Sequence, residues 1–153
     1  MSNRLNTVTV SLVSSLLVLA YYLVNWLQMY RTVGLDSATI IRLWVIVIVA
    51  TIIINIAGNI IAAIVVNIAH AIRTRSDKEV QLIEDERDKL IDLKGTRISY
   101  IVFSIGVFLA MLTFAFNQPP LIMFSLIVLF SLLAEIAGDI AQLSMYRRGV
   151  AYG

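Results

Sequence analysis

Leu121-Ile122-Met123-Phe124-Ser125-Leu126-Ile127-Val128-Leu129-Phe130-Ser131-Leu132-Leu133-Ala134-Glu135-Ile136-Ala137-Gly138-Asp139-Ile140 carries no basic side chain and no acid before Glu135. About 20 apolar residues, rising 1.5 Å each as a helix, cross the roughly 30 Å hydrocarbon core of a bilayer, so this stretch reads as a transmembrane span. Three more such runs precede it. Spans are expected over 5–30, 39–72, 98–116 and 119–146, which leaves only short connections and one charged segment, 76–94. The chain is 59% hydrophobic and 14% charged, and its mean hydropathy of +0.88 excludes a soluble globular domain and a disordered chain alike. The expected fold is an all-α four-helix transmembrane bundle forming a single domain over 1–153, with lipid as its main solvent.

The end of the quoted stretch has a counterpart. Asn55-Ile56-Ala57-Gly58-Asn59-Ile60 and Glu135-Ile136-Ala137-Gly138-Asp139-Ile140 share four of six residues at a displacement of eighty. One copy bears amides and the other carboxylates. The match raises the expectation of two pseudo-repeated helical hairpins related by a twofold along the membrane normal, against chance recurrence in a chain rich in Ile and Ala.

At helical spacing, residues i and i+4 share a face, so each hexad lays a polar stripe along its span: Asn55 with Asn59, and Glu135 with Asp139 and then Gln142. Ionisable groups inside a bilayer are costly and mark functional sites by default. Counted from Leu121, Glu135 lies roughly 20 Å into the core and Asp139 near the headgroups. A charged acid at the bilayer centre costs up to about 3 kcal/mol, and less if it takes a proton. Glu135, Asp139, Asn55, Asn59 and Gln142 are therefore the candidates for an ion or proton site, with Glu135 the strongest. The competing reading is packing: Gly58 with Ala62 and Ala134 with Gly138 are small pairs four residues apart that let helices approach closely.

Orientation follows from the loop cations. Arg4, the seven Lys and Arg of the central loop, and Arg147 and Arg148 fall on one side, while Arg31 and Arg42 fall on the other. Both termini are expected to be cytoplasmic, in a multi-pass protein of the cytoplasmic (inner) membrane. The net charge of +2 is mostly this orientation signal, and no nucleic-acid partner is expected. The first run stays apolar past Val18-Leu19-Ala20 to Leu27, so it reads as an uncleaved helix instead of a secretory signal. Tyr21, Tyr22, Trp26, Tyr30 and Trp44 are expected as aromatic anchors at the outer interface, and Tyr100 and Tyr146 at the inner one.

Gly34, Asp36 and Ser37 supply a turn and an N-cap, and Asn117-Gln118-Pro119-Pro120 ends one span and begins the next. Such short connections pair the first two spans and the last two as antiparallel hairpins. Segment 76–94 opens with the capping-box pattern Ser76-Asp77-Lys78-Glu79 and is expected to stop before Gly95 as a separate cytoplasmic helix. Val80, Ile83, Leu90 and Ile91 share a face suited to the membrane surface or a partner. The seven acids of the central loop offset its seven bases, counted over 73–97, which makes the charge run a solvated face; His70 is the only histidine and reads as interfacial.

Asp85-Glu86-Arg87-Asp88, then Leu93-Lys94-Gly95-Thr96-Arg97, Gln142-Leu143 and Tyr146-Arg147-Arg148-Gly149 resemble a family of small uncharacterised prokaryotic integral membrane proteins. The resemblance covers roughly the second half of the chain. It implies a small helical protein of a prokaryotic membrane and makes Asp85, Glu86, Arg87, Asp88, Arg97, Arg147 and Arg148 candidates for partner or lipid contact. It implies no catalytic residue.

With no cysteine, no histidine cluster, no phosphate-cradling glycine loop and no serine beside a base, no enzymatic activity and no cofactor are predicted, and no metal is assigned. Two classes remain. One is an oligomeric proton- or cation-linked channel or transport module built on the hexads. The other is a regulatory or scaffold subunit that engages a cytoplasmic protein or anionic lipid through the central helix and the basic tail.

Overall fold

The computed structural model describes residues 2–32, 36–72 and 78–148, with all of their side chains except those of 2–4, 6, 32, 59, 61–63, 65–72, 78–85 and 148. Four helices follow in order: α1 (Ser2–Thr32), α2 (Ser37–Ile72), α3 (Lys78–Ala115) and α4 (Pro120–Arg148). Each holds a segment long and apolar enough to cross a membrane: Thr7–Arg31, Ser37–Gly58, Glu86–Ala115 and Pro120–Arg147. The chain is an all-α four-helix transmembrane bundle, hence a small multi-pass integral membrane protein.

Local chemistry sets the helix ends. Asp36 caps α2, its Oδ2 accepting the Thr39 backbone N–H at 3.0 Å and the Thr39 hydroxyl at 2.6 Å. Those bonds, the hydroxyl's first, hold the Asp36 carboxyl below its ordinary value. At the other connection Asn117 adopts φ 59°, a left-handed conformation that asparagine tolerates better than most residues. The Gln118 N–H then reaches the Thr113 carbonyl and the Asn117 N–H the Phe114 carbonyl, both at 3.1 Å, closing α3 with a Schellman motif. Pro120 starts α4 at a position where a missing N–H is harmless. Gly34, Ser76, Asp77 and Gly149 lie outside the described residues.

The expected break before Gly95 does not occur. α3 runs unbroken for 38 residues, about 57 Å, and joins the charged segment to the third span. Gly95 is buried: a Cβ there would run into the Gln142 side chain of α4. The glycine serves close helix approach, and its cost to helix propensity, about 1 kcal/mol, is too small to end a helix packed along its length. Ile91, fully buried on a helix that among the described residues touches only α4, packs there and not on a membrane surface. The side chains of Val80, Leu82 and Ile83 lie outside the described set.

α4 is the hub. Among the described residues it packs against all three other helices, α1 also packs against α2, and α3 touches α4 alone. An exchange of hairpins by a twofold would pair α1–α4 with an equivalent α2–α3 contact, which the described residues do not make. At the end of the bundle that carries both hairpin connections, Tyr22, Leu43, Val47 and Leu132 form a buried cluster flanked by Val18, Leu19, Trp26, Met29, Trp44, Val128 and Leu129. Tyr22, 2% exposed, is core and not an interfacial anchor, because its hydroxyl donates to the Ser125 carbonyl at 2.7 Å. Tyr146, at 7% exposure, is likewise buried, whereas Tyr21, Tyr30 and Tyr100 face outward. Trp26 stacks on Tyr30 with ring centroids 5.7 Å apart.

Candidate intramembrane polar site

The two hexads meet at their first residues. Asn55 Nδ2 on α2 donates to Glu135 Oε1 on α4 at 2.8 Å, and the same amide reaches the Thr51 carbonyl one turn earlier at 3.1 Å. Thr51 is turned back on its own helix, its hydroxyl bonded to the Val47 carbonyl at 2.9 Å. Helical spacing placed the Asn55 amide on the α4 side, and the clustered apolar residues Leu43 and Val47 on that face of α2 hold it there. A hydrogen bond between membrane helices contributes about 0.6 kcal/mol on average and seldom more than roughly 1.7 kcal/mol. Asn55–Glu135 is therefore a position-setting contact more than a strong clamp.

Asp139, one turn beyond Glu135, faces a different neighbour. The hydroxyl of Ser11 on α1 reaches its carboxyl, and Glu135 supplies the like charge beside it. Its Oδ2 is enclosed and has no hydrogen-bond partner. An enclosed acceptor without a donor costs about 1–3 kcal/mol, and a proton or a cation would satisfy it. Depth counting set Asp139 near the headgroups and below Glu135 in interest. The helices around it enclose it nonetheless, since α1 covers the face that a count along α4 leaves open.

Gln142 turns to a third helix, its Nε2 donating to Asp92 Oδ1 of α3 at 3.3 Å. The stripe read from the sequence as one face thus distributes its contacts: Glu135 to α2, Asp139 to α1 and Gln142 to α3. Asn59 and Ala62 lie on α2 with side chains outside the described set. Among the described residues no three His, Cys, Asp or Glu side chains group as a metal site.

The packing candidates divide. Ala134 and Gly138 are buried; a Cβ on Gly138 would collide with the Ser99 hydroxyl and stand 3.3 Å from the Gly95 carbonyl oxygen. Gly58 is the reverse case, for a Cβ there would meet nothing within 4 Å. Close packing accounts for Gly138 but not, within one subunit, for Gly58. α4 is flanked by α3 at this level, whose Ser99 and Gly95 reach Gly138, whereas neither of the helices that α2 packs against comes within 4 Å of a Cβ on Gly58.

Among the partner candidates, Glu86, Arg97 and Arg147 face outward, and Arg87 and Asp88 are half-buried. The side chains of Asp85 and Arg148 lie outside the described set. Sequence reasoning missed Ser11, Asp92 and the α3 glycines. None of them carried a distinguishing signal: Asp92 is an exposed acid within a run of charges, and nothing separates Ser11 from Ser14 or Ser15 before the helices are docked. Comparison of the chain with protein-family models, with curated proteins and with solved structures returns no match.

Proposed function

We propose that the protein is an oligomeric proton- or cation-linked channel or transport module that works through the intramembrane carboxylates Glu135 and Asp139. The observation that carries this reading is the pair of unlike environments one turn apart: Glu135 held by the Asn55 amide, and Asp139 with an enclosed oxygen awaiting a positive partner. Carboxylates placed inside a membrane bundle, with polar groups from two other helices beside them, suit the transient binding of a proton or a hard cation. The loop cations support N-in and C-in topology in a cytoplasmic membrane. Four helices with so little enclosed space support a homo-oligomer. No catalytic step and no cofactor enter this reading.

Purified protein in liposomes tests it. Wild type should show pH- or cation-dependent flux, and both Glu135→Gln and Asp139→Asn should lose it. Unchanged flux in Glu135→Gln removes that residue from the mechanism, and absence of flux in wild type sinks the transport class.

The outward charges Glu86, Arg97 and Arg147, gathered where α3 and α4 run toward the termini, favour a second reading. In it the protein is a regulatory or scaffold subunit whose charged end binds a cytoplasmic protein or anionic lipid. Charge reversal across Glu86, Arg87, Asp88 and Arg97 separates the two: a transporter keeps its basal flux, and a scaffold loses its partner.

A further inference from the structure

The groups set against the two carboxylates differ in what they offer a ligand. A hard divalent cation is held by about six or more oxygen lone pairs. Asn55 presents the opposite: its Nδ2 donates to Glu135 Oε1 at 2.8 Å and to the Thr51 carbonyl at 3.1 Å. Those two acceptors fix the amide, because turning it over would set its Oδ1 against a carboxylate oxygen and a carbonyl oxygen, acceptor against acceptor. The Thr51 hydroxyl is turned back along α2, donating to the Val47 carbonyl at 2.9 Å. At Asp139 the Ser11 hydroxyl is a donor to a carboxylate and an acceptor from a carboxylic acid, so it serves both protonation states in place. Among the described residues no third acid, histidine or cysteine joins the pair.

We infer that this site takes a proton and not a metal cation, that Asp139 holds the proton, and that Asn55 sets the choice. The inference rests on the transport reading for the use made of the proton, but occupancy of the site is measurable without flux. On protonation an O–H bond forms at Asp139 Oδ2, the enclosed oxygen that has no donor; the proton comes from water and returns to it, and no other bond changes. One proton on the pair also removes the repulsion between Asp139 and Glu135, one turn apart on α4. Glu135 stays ionised, its Oε1 already accepting the Asn55 N–H. A cation drawn to Glu135 would instead face that N–H, the positive end of the amide dipole.

The other charged groups leave the pair to itself. α1 and α2 set only the uncharged Ser11 and Asn55 against it among the described side chains. On α3, Asp92 is held by Gln142, Arg97 faces outward, and the charges from Glu86 to Lys94 lie beyond the level at which Gln142 meets Gly95. On α4, Arg147 faces outward two turns past Asp139.

Infrared titration of the purified full chain in lipid tests this. The Asp139 signal is the part of the carboxylic-acid C=O absorption that Asp139→Asn removes, and Glu135→Gln should retain it. Its titration midpoint should be the same in Na+, K+, Mg2+ or Ca2+ chloride as in choline chloride of equal ionic strength. A cation that competed for the site would lower the midpoint by up to about one pH unit for each tenfold rise in its concentration. Such a shift in wild type overturns the inference and leaves a cation-transport reading standing. A signal lost in Glu135→Gln overturns the assignment of the proton to Asp139. Asn55→Asp, which exchanges the donor for acceptor oxygens and a second charge, should acquire the Ca2+-dependent shift that wild type lacks; no shift there overturns the role of Asn55. A cation-independent midpoint together with absence of liposome flux supports the proton site and sinks the transport reading, so the two fail separately.

Discussion

Gly58 and Gly138 occupy the same place in two nearly identical hexads, yet one faces open space and the other is pressed against Ser99 and the Gly95 carbonyl. The difference lies outside the hexads. α4 has a neighbour on that side, α3, whose own Gly95 lets the backbones come close, and at Gly58 no helix approaches within 4 Å of a Cβ. A small residue in a membrane helix permits close approach, and only the partner helix decides whether the permission is used. The same holds for the polar members: the first positions of the two copies meet each other, while Asp139 is claimed by α1.

The strongest way to break this contrast is at the seam. Gly106→Leu drives a side chain into Phe130 at its Cβ and Cγ, atoms too close to the α4 backbone to move aside. Overpacking of this kind costs about 1–3 kcal/mol or more, and we expect a lowered thermal midpoint in detergent with separation of α3 from α4. An unshifted midpoint would show that the seam is not held by fit.

The hexad pair itself offers a sharper comparison. Gly138→Ala should destabilise by roughly 1 kcal/mol, the Ser99 hydroxyl rotating away but the Gly95 carbonyl remaining. Gly58→Ala should be neutral or stabilise by up to about 1 kcal/mol, because alanine favours the helix and its methyl meets nothing. Equal effects at the two positions, read from parallel denaturation curves, would mean that Gly58 is packed against another subunit in the native assembly.

The smallest expected effect is at the α2 cap. The Asp36 carboxyl is held below its ordinary value of 3.8, so its contribution is full above that pH and disappears as pH falls through the lowered folded value. Hydrogen exchange in the first turn of α2 should therefore quicken in wild type under strong acid. Asp36→Asn, which caps without titrating, should flatten that response.

Much of the architecture is readable before any coordinates. Span length and hydropathy mark all four helices, and Asp36, Asn117 and the prolines mark their ends, because these signals act within a few residues. Matching stripes single out Asn55 and Glu135, but that the two meet follows only from α2 lying beside α4. What local signals miss is everything that depends on which helix lies beside which. Gly95 carries the chemistry of a helix stop, but its contact with Gln142 makes it part of a continuous helix. Tyr22 and Tyr146 have the composition of interface anchors and are buried instead, one of them on a carbonyl a hundred residues away. Ser11 has no distinguishing feature until α1 is laid against Asp139.

The position of α4 as the shared neighbour also fixes an order of events during synthesis. Tyr22, Asn55 and Ser11 have their partners on α4, made after the other three helices, and Asn55 precedes Glu135 by 80 residues. At about 5–20 residues per second, the first hairpin waits about 4–16 s in the bilayer with its asparagine bonded only to the Thr51 carbonyl of its own helix. α3 waits as well, having no contact of its own with α1 or α2 among the described residues. A nascent chain stopped before α4 is therefore three inserted helices without a bundle, and such an intermediate should be a preferred target for the quality-control proteases of its membrane.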